Sequence, residues 1–111
     1  NWYTSGSFYF NDKNKDCIVY GDIYRPGKEI IIICKQLILK GNVTLSAKAI
    51  HITVHDKSQY SIKCTGELTF KDSNIYLDNP EQQNIWLRCR SLNVYGGGMY
   101  WDTNNKKLQL R

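Results

Sequence analysis

Two histidines, four cysteines and ten carboxylates are the side chains of this chain with reactive chemistry to offer. His51 and His55 lie four apart in "HITVH". On a strand that spacing separates them by about 13 Å, too far to share a metal ion, so no metal site is expected. Both should face solvent if Ile50, Ile52 and Val54 face in. Cys17, Cys34, Cys64 and Cys89 form no CxxC or CxH pair, which leaves a structural zinc without support. Their even number could close two disulfides, and Cys17–Cys34 and Cys64–Cys89 are the pairings with the shortest loops. Equally, Cys34, Cys64 and Cys89 sit inside apolar runs, where a free thiol packs as a small hydrophobe.

Among the carboxylates the closest grouping is Asp12, Asp16 and Asp22. Glycoside hydrolysis needs two facing carboxyl groups about 5–9.5 Å apart, and no short strand here carries an outward pair. GxSxG, Walker and GxGxxG patterns are absent. The glycines of "YGGGMYW" (95–101) have no helix after them to supply a dipole for phosphate. They fit a bulge, a cap or a close backbone approach instead. A non-enzymatic chain without a cofactor is the expectation.

Aromatic and arginine side chains remain. Trp86, Arg88, Arg90, Tyr95, Tyr100 and Trp101 crowd the last third of the chain, and Trp2, Tyr3, Phe8, Tyr9 and Phe10 crowd its start. Rigid rings beside arginine recognise proteins and glycans, because they offer contact area at low entropic cost. The same rings also serve as core, since burying one is worth ~2–3 kcal/mol. The net charge of +5 and pI of about 9.0 favour anionic surroundings weakly. Lys35, Lys40, Lys48, Lys57, Lys63 and Lys71 are dispersed rather than gathered in a groove, which argues against nucleic acid. "NVT" at Asn42 is a glycosylation sequon, with meaning only in a secretory context.

The elements that must position these residues are strands. At 111 residues the chain is one domain. It holds 12 Ile, 4 Val and 14 aromatics against two Ala, a composition for pleated surfaces. From Ile30 to Leu77 short apolar pulses alternate with polar residues, and the rhythm continues to Leu110. Ile31/Ile33, Leu37/Leu39, Val43/Leu45, Ile50/Ile52/Val54, Ile62/Cys64, Leu68/Phe70, Ile75/Leu77 and Ile85/Leu87 all show the period of two. "DNPEQQN" (78–84) has room for at most one helical turn.

The pulses start every six to ten residues, with no NG or DG hairpin turns between them. That rhythm predicts a short-stranded β-solenoid with coils of roughly twenty residues. Its stacked column would run through Ile31, Ile50 and Leu68, with Ile85 or Leu87 next. Residues 1–29, with an "RPG" turn at Arg25–Gly27, are expected as an irregular cap, and residues 30–111 as the stacked strands. A compact antiparallel β-sandwich or small barrel is the alternative fold.

The section "LILKGNVTLSAKAIHITVHDKSQYSIKCTGELTFKDSNIYL" (37–77) resembles right-handed β-helix segments of bacterial secreted adhesins and of phage and secretion-system spikes. The resemblance implies a solenoid acting outside the cell or on its surface. The longest apolar run, Ile30–Cys34, is far short of a membrane span. The opening "NWYTSGSFYF" carries neither an initiator Met nor a signal h-region, so a mature or trimmed form is expected. The functional expectation is a binding or scaffold domain that recognises a protein or glycan through the Trp86–Trp101 patch. The alternative is a small β-barrel inhibitor or immunity protein that blocks a partner enzyme.

Overall fold

The computed structural model describes residues 6–101 and 108–110, with Trp101 and the last three given by backbone alone. The described residues form twelve strands: β1 (Phe8–Asp12), β2 (Cys17–Val19), β3 (Ile23–Cys34), β4 (Leu37–Leu39), β5 (Val43–Val54), β6 (Ile62–Cys64), β7 (Glu67–Lys71), β8 (Asn74–Asp78), β9 (Ile85–Arg88), β10 (Ser91–Tyr95), β11 (Gly98–Trp101) and β12 (Leu108–Leu110). Each strand pair is parallel and joins elements about one coil apart in sequence. The result is a β-solenoid of about four turns. Among the described residues no strand pair is antiparallel, so the sandwich or barrel alternative is not the fold.

Three walls close the coil. Wall 1 stacks β1, the second half of β3, the second half of β5, β8 and β11. Wall 2 stacks β2, β4, β6, β9 and β12. Wall 3 stacks the first halves of β3 and β5 with β7 and β10. β3 and β5 run through the corner between walls 3 and 1, so those two walls form one seven-stranded sheet. In β3 that corner is a register shift between Arg25 and Glu29, with Gly27 at φ 71°. The expected "RPG" turn is therefore a bulge inside a continuous strand.

Alternation explains the core. Ile30, Ile32, Leu37, Leu39, Val43, Leu45, Ile50, Ile52, Ile62, Leu68, Phe70, Ile75, Leu77, Ile85 and Leu87 point inward and are essentially inaccessible. One corrected column follows the register Phe8–Ile30–Ile50–Ile75–Met99. Ile31 instead pairs with His51, Leu68 pairs with Val43 and Leu92, and Ile85 and Leu87 lie on wall 2. The run "IIII" (30–33) has no polar member to fix its parity, which is why Ile31 looked as eligible as Ile30. The step along the column is 22, 20, 25 and 24 residues rather than a constant twenty, because corner lengths differ.

The segment expected as a cap supplies the first coil from Phe8 onward. Its strands continue the three ladders, and Phe8 and Phe10 pack half-buried against the core. The Arg25 guanidinium sits 5.7 Å from the centre of the Phe8 ring. Trp2 and Tyr3 lie outside the described residues. The stretch 78–84 forms a turn with Gln82 N–H donating to Asn79 O at 3.4 Å, not a helical turn.

Corners are held by side chains that reach the adjacent coil. Between walls 2 and 3, Asp22 Oδ1 accepts from Thr44 N–H (2.8 Å), Thr65 Oγ1 from Gly41 N–H (2.6 Å) and Asn42 Oδ1 from Glu67 N–H (2.9 Å). A Cβ at Gly66 would lie 2.6 Å from Gly41 O, so only glycine lets these coils close up. The corner between walls 3 and 1 is equally tight: a Cβ at Gly97 would lie 1.9 Å from Ser73 O. That contact makes the "YGGGMYW" glycines a close backbone approach.

The corner between walls 1 and 2 is longer and polar. Asn79 and Ser61 are fully buried there and bonded to each other, Asn79 Nδ2 to Ser61 Oγ at 3.1 Å. Asn79 Nδ2 also donates to Asp56 O (3.2 Å), and its Oδ1 accepts from Glu81 N–H (2.9 Å). The buried amide is thus satisfied, as a dry interior demands. The Asp56 carboxylate accepts from Ser58 Oγ and Gln36 Nε2. Partial burial by itself raises its pKa, but the Ser58 and Gln36 hydrogen bonds, helped by the Lys35 charge, prevail and leave it below the ordinary carboxylate range.

Two outcomes follow. Ile50→Ala should cost about 3 kcal/mol in urea unfolding, whereas Ile31→Ala, on the outward side, should cost at most about 1 kcal/mol. Because Asp56 titrates below its unfolded value, its contribution to stability is complete above the unfolded carboxylate pKa of about 4. It is lost as pH falls through the lower folded value. Asp56→Asn should flatten that segment of a thermal-stability profile against pH.

Candidate functional site

The inward parity of wall 1 decides what its outside presents. With Ile30, Ile50 and Ile75 facing in, their neighbours Tyr9, Ile31, His51, Tyr76 and Tyr100 face out in one column. Strands in a sheet stand about 4.8 Å apart, and the rings adopt that spacing. His51 and Tyr76 stack at 4.8 Å between centroids with planes 11° apart, and Tyr76 and Tyr100 at 5.3 Å and 20°. Glu29 Oε2, from the neighbouring strand, lies 3.7 Å from His51 Nε2. Tyr9, Tyr76 and Tyr100 are well exposed, at 66%, 41% and 51%.

The wall is also distinct in charge. The chain carries 15 Lys and Arg, yet none falls in residues 8–12, 29–34, 49–54, 74–78 or 98–101. Among the described residues, the basic side chains occupy the corners (Lys13, Lys15, Lys28, Lys35, Lys40, Lys48, Lys57, Arg90) and the other two walls (Arg25, Lys63, Lys71, Arg88). Wall 1 is therefore a flat, tyrosine-bearing surface free of basic residues, five strands tall. Beside the tyrosines it keeps the acidic Glu29 and Asp78.

The single patch expected from Trp86 to Trp101 does not form. Trp86 and Arg88 are on wall 2, where both join Tyr60: Trp86 meets its ring edge-on at 5.6 Å, and Arg88 Cζ lies 5.1 Å from its centre. Arg90 is at the next corner, its N–H donating to Gly66 O at 3.0 Å. Tyr95 ends β10 on wall 3, and Tyr100 is on wall 1. Trp101 pairs with Leu77 in the backbone register, and its side chain lies outside the described residues. The physical reason is the coil itself: a few residues along the chain carry it around a corner, so close sequence neighbours face different directions.

Sequence reading missed His51, Tyr76 and Glu29 as a group. A signal existed: His51, Tyr76 and Tyr100 recur at 25 and 24 residues, one coil apart. His55, at the end of β5, turns into the corner with its Nδ1 3.7 Å from Glu81 Oε2. The two histidines thus serve different faces, and among the described residues no cluster of three or more His, Cys, Asp and Glu is placed to hold a metal.

All four cysteines are free thiols: of the two readings, packed thiols are found, and the Cys17–Cys34 and Cys64–Cys89 bridges are not. Cys17, Cys34 and Cys64 are inward core residues, and Cys89 is half-buried beside them. Burial pushes the Cys17 thiol up to about 11. Burial, with smaller contributions from Cys17 and Asp16, pushes Cys34 up to about 12, although the Cys17 backbone N–H pulls it back. Cys89 is raised by burial first and by Cys64 second. Such thiols hold little nucleophilic thiolate at neutral pH.

No family model matches the chain, and no curated protein and no solved structure matches it. No helix among the described residues is long and apolar enough to cross a membrane.

Intact mass should not change when the protein is treated with reductant. Iodoacetamide at neutral pH should leave Cys17 and Cys34 unmodified in the folded chain, and label all four cysteines after unfolding.

Proposed function

We propose that this chain is a non-enzymatic protein-binding scaffold that engages its partner through the outer face of wall 1. The observation that carries this reading is the stacked column His51–Tyr76–Tyr100, with Glu29 against His51, on a wall without lysine or arginine. Rings already immobilised against each other lose little rotamer freedom on binding. The wall needs no large desolvation of basic side chains, and tyrosine supplies both apolar area and a hydroxyl.

The stacking also separates a protein partner from a glycan. A sugar lies with its C–H face on the face of an aromatic ring. Along this column the facing surfaces of His51, Tyr76 and Tyr100 are occupied by one another. What remains outward is ring edge and polar tip, which suits the flat, mixed surface of a protein. With every thiol free, the cysteines give no argument for an oxidising compartment, so the reading rests on the wall alone.

The test places a benzophenone side chain at Asn74, exposed beside the column, or at Tyr95 on wall 3, in the cells that make the protein. Cross-linking from position 74 should yield a discrete protein adduct, and position 95 should not. Tyr76→Ala together with Tyr100→Ala should reduce that adduct at least about tenfold, as loss of interface hot spots does. Equal adducts from both positions, or sugar-array binding that disappears in Tyr76→Ala, would overturn the proposal.

A further inference from the structure

Wall 3 carries a notch that the recognition surface on wall 1 does not use. Its origin is a difference in side-chain size between successive coils. The second coil contributes only Thr44 and Ser46 here, while the first contributes Asp22 and Tyr24 and the third Lys71 and Asp72. A rung of short side chains between two rungs of long ones leaves a groove about two strand spacings wide, roughly 10 Å. It encloses about 260 Å³, below the ~300–1,000 Å³ of pockets for drug-sized ligands, and so takes one small ring.

The groups around the notch are held in place. Asp22 Oδ1 accepts from Thr44 N–H at 2.8 Å, which fixes that carboxylate at one end. Ser46, buried on the floor, donates to Lys71 O at 2.8 Å, and Ser73 Oγ donates to the same carbonyl at 2.7 Å. Asp72 stands at the other end with φ 52°, its N–H bonded to Tyr95 O at 2.7 Å. A Cβ on Gly96 would lie 2.6 Å from Asp72 Oδ1, so the glycine leaves room for the carboxylate. Tyr24 is 64% exposed and offers its ring along one side.

We propose that this notch on wall 3, formed by Asp22, Tyr24, Thr44, Ser46, Lys71 and Asp72, binds a single neutral sugar ring. The two carboxylates accept hydrogen bonds from hydroxyls on opposite sides of the ring, and the Lys71 ammonium donates to a hydroxyl or to the ring oxygen. The Tyr24 ring, unlike those of wall 1, belongs to no stacked pair among the described residues, and it can meet the C–H face of the sugar. Two carboxylates against one ammonium disfavour an anionic ligand, despite the basic charge of the whole chain. The site lies on a different wall from the proposed protein surface, so each reading can fail without the other.

The experiment is a titration of the isotopically labelled full chain, followed by amide chemical shifts. Glucose, galactose, mannose and N-acetylglucosamine are added separately, with glucuronate as the anionic comparison. At least one neutral sugar should give saturable shifts at residues 22–24, 44–46 and 71–72, with millimolar affinity. Tyr24→Ala should weaken it about tenfold or more. Asp22→Asn, which keeps an acceptor for Thr44 N–H, should do the same. Ile18→Ala, exposed on wall 2, should bind as the parent does. The proposal is overturned if no neutral sugar gives a saturable response at tens of millimolar. It is equally overturned if the shifts fall elsewhere, survive Tyr24→Ala, or are matched by glucuronate.

Discussion

No coil of this molecule can bury its own inward side chains; each is covered only by the coils above and below. That mutual dependence governs the rest. It requires inward apolar residues at matching places in successive coils, and it explains why Ile30, Ile50 and Ile75 fall into register despite steps of 20 and 25 residues. It also makes the corners exacting. Coils stacked at the spacing of hydrogen-bonded strands leave no space for a side chain at Gly66 or Gly97, while Asp22, Asn42 and Thr65 satisfy backbone N–H groups that the turn leaves without strand partners.

The same constraint builds the outer surface. Once the interior fixes parity, every outward residue is placed above its counterpart one coil earlier. Similar residues at one-coil spacing become ladders. The His51–Tyr76–Tyr100 stack is such a ladder, and its geometry is that of the backbone carried outward by rigid rings. Where successive rungs differ in size, a notch appears instead, as at Thr44 and Ser46. Both surface features therefore arise from the pattern of side-chain sizes on an otherwise repetitive body.

The solenoid was legible because alternation is a local property. Val43/Leu45, Leu68/Phe70 and Ile75/Leu77 announce their inward faces without knowledge of any partner strand. Register was less legible because it is a long-range property. The four consecutive isoleucines at 30–33 do not alternate, and corner lengths vary, so a constant period of twenty placed Ile31 and Leu68 in a column they do not share. The recognition patch was least legible. Trp86, Arg88, Tyr95 and Tyr100 are close along the chain but distributed over three walls, because sequence proximity in a coil means a change of direction. The residues that do meet, His51 with Tyr76, are 25 positions apart, a separation that counts as contact only once the coil length is known.

The corner between walls 1 and 2 differs from the other two in one way that has a wider meaning. Between strands it spans residues 13–16, 35–36, 55–61 and 79–84 in successive coils, so the molecule already accepts from two to seven residues at this place without losing the ladder on either side. Closing a longer loop adds little entropic cost. The corner where β3 and β5 pass from wall 3 to wall 1 varies less: between the paired positions Arg25/Ala47 and Glu29/Ala49 it takes three residues in β3 and one in β5. New chain can therefore be grafted beside Lys57 and Ser58 and project from the body like a fin.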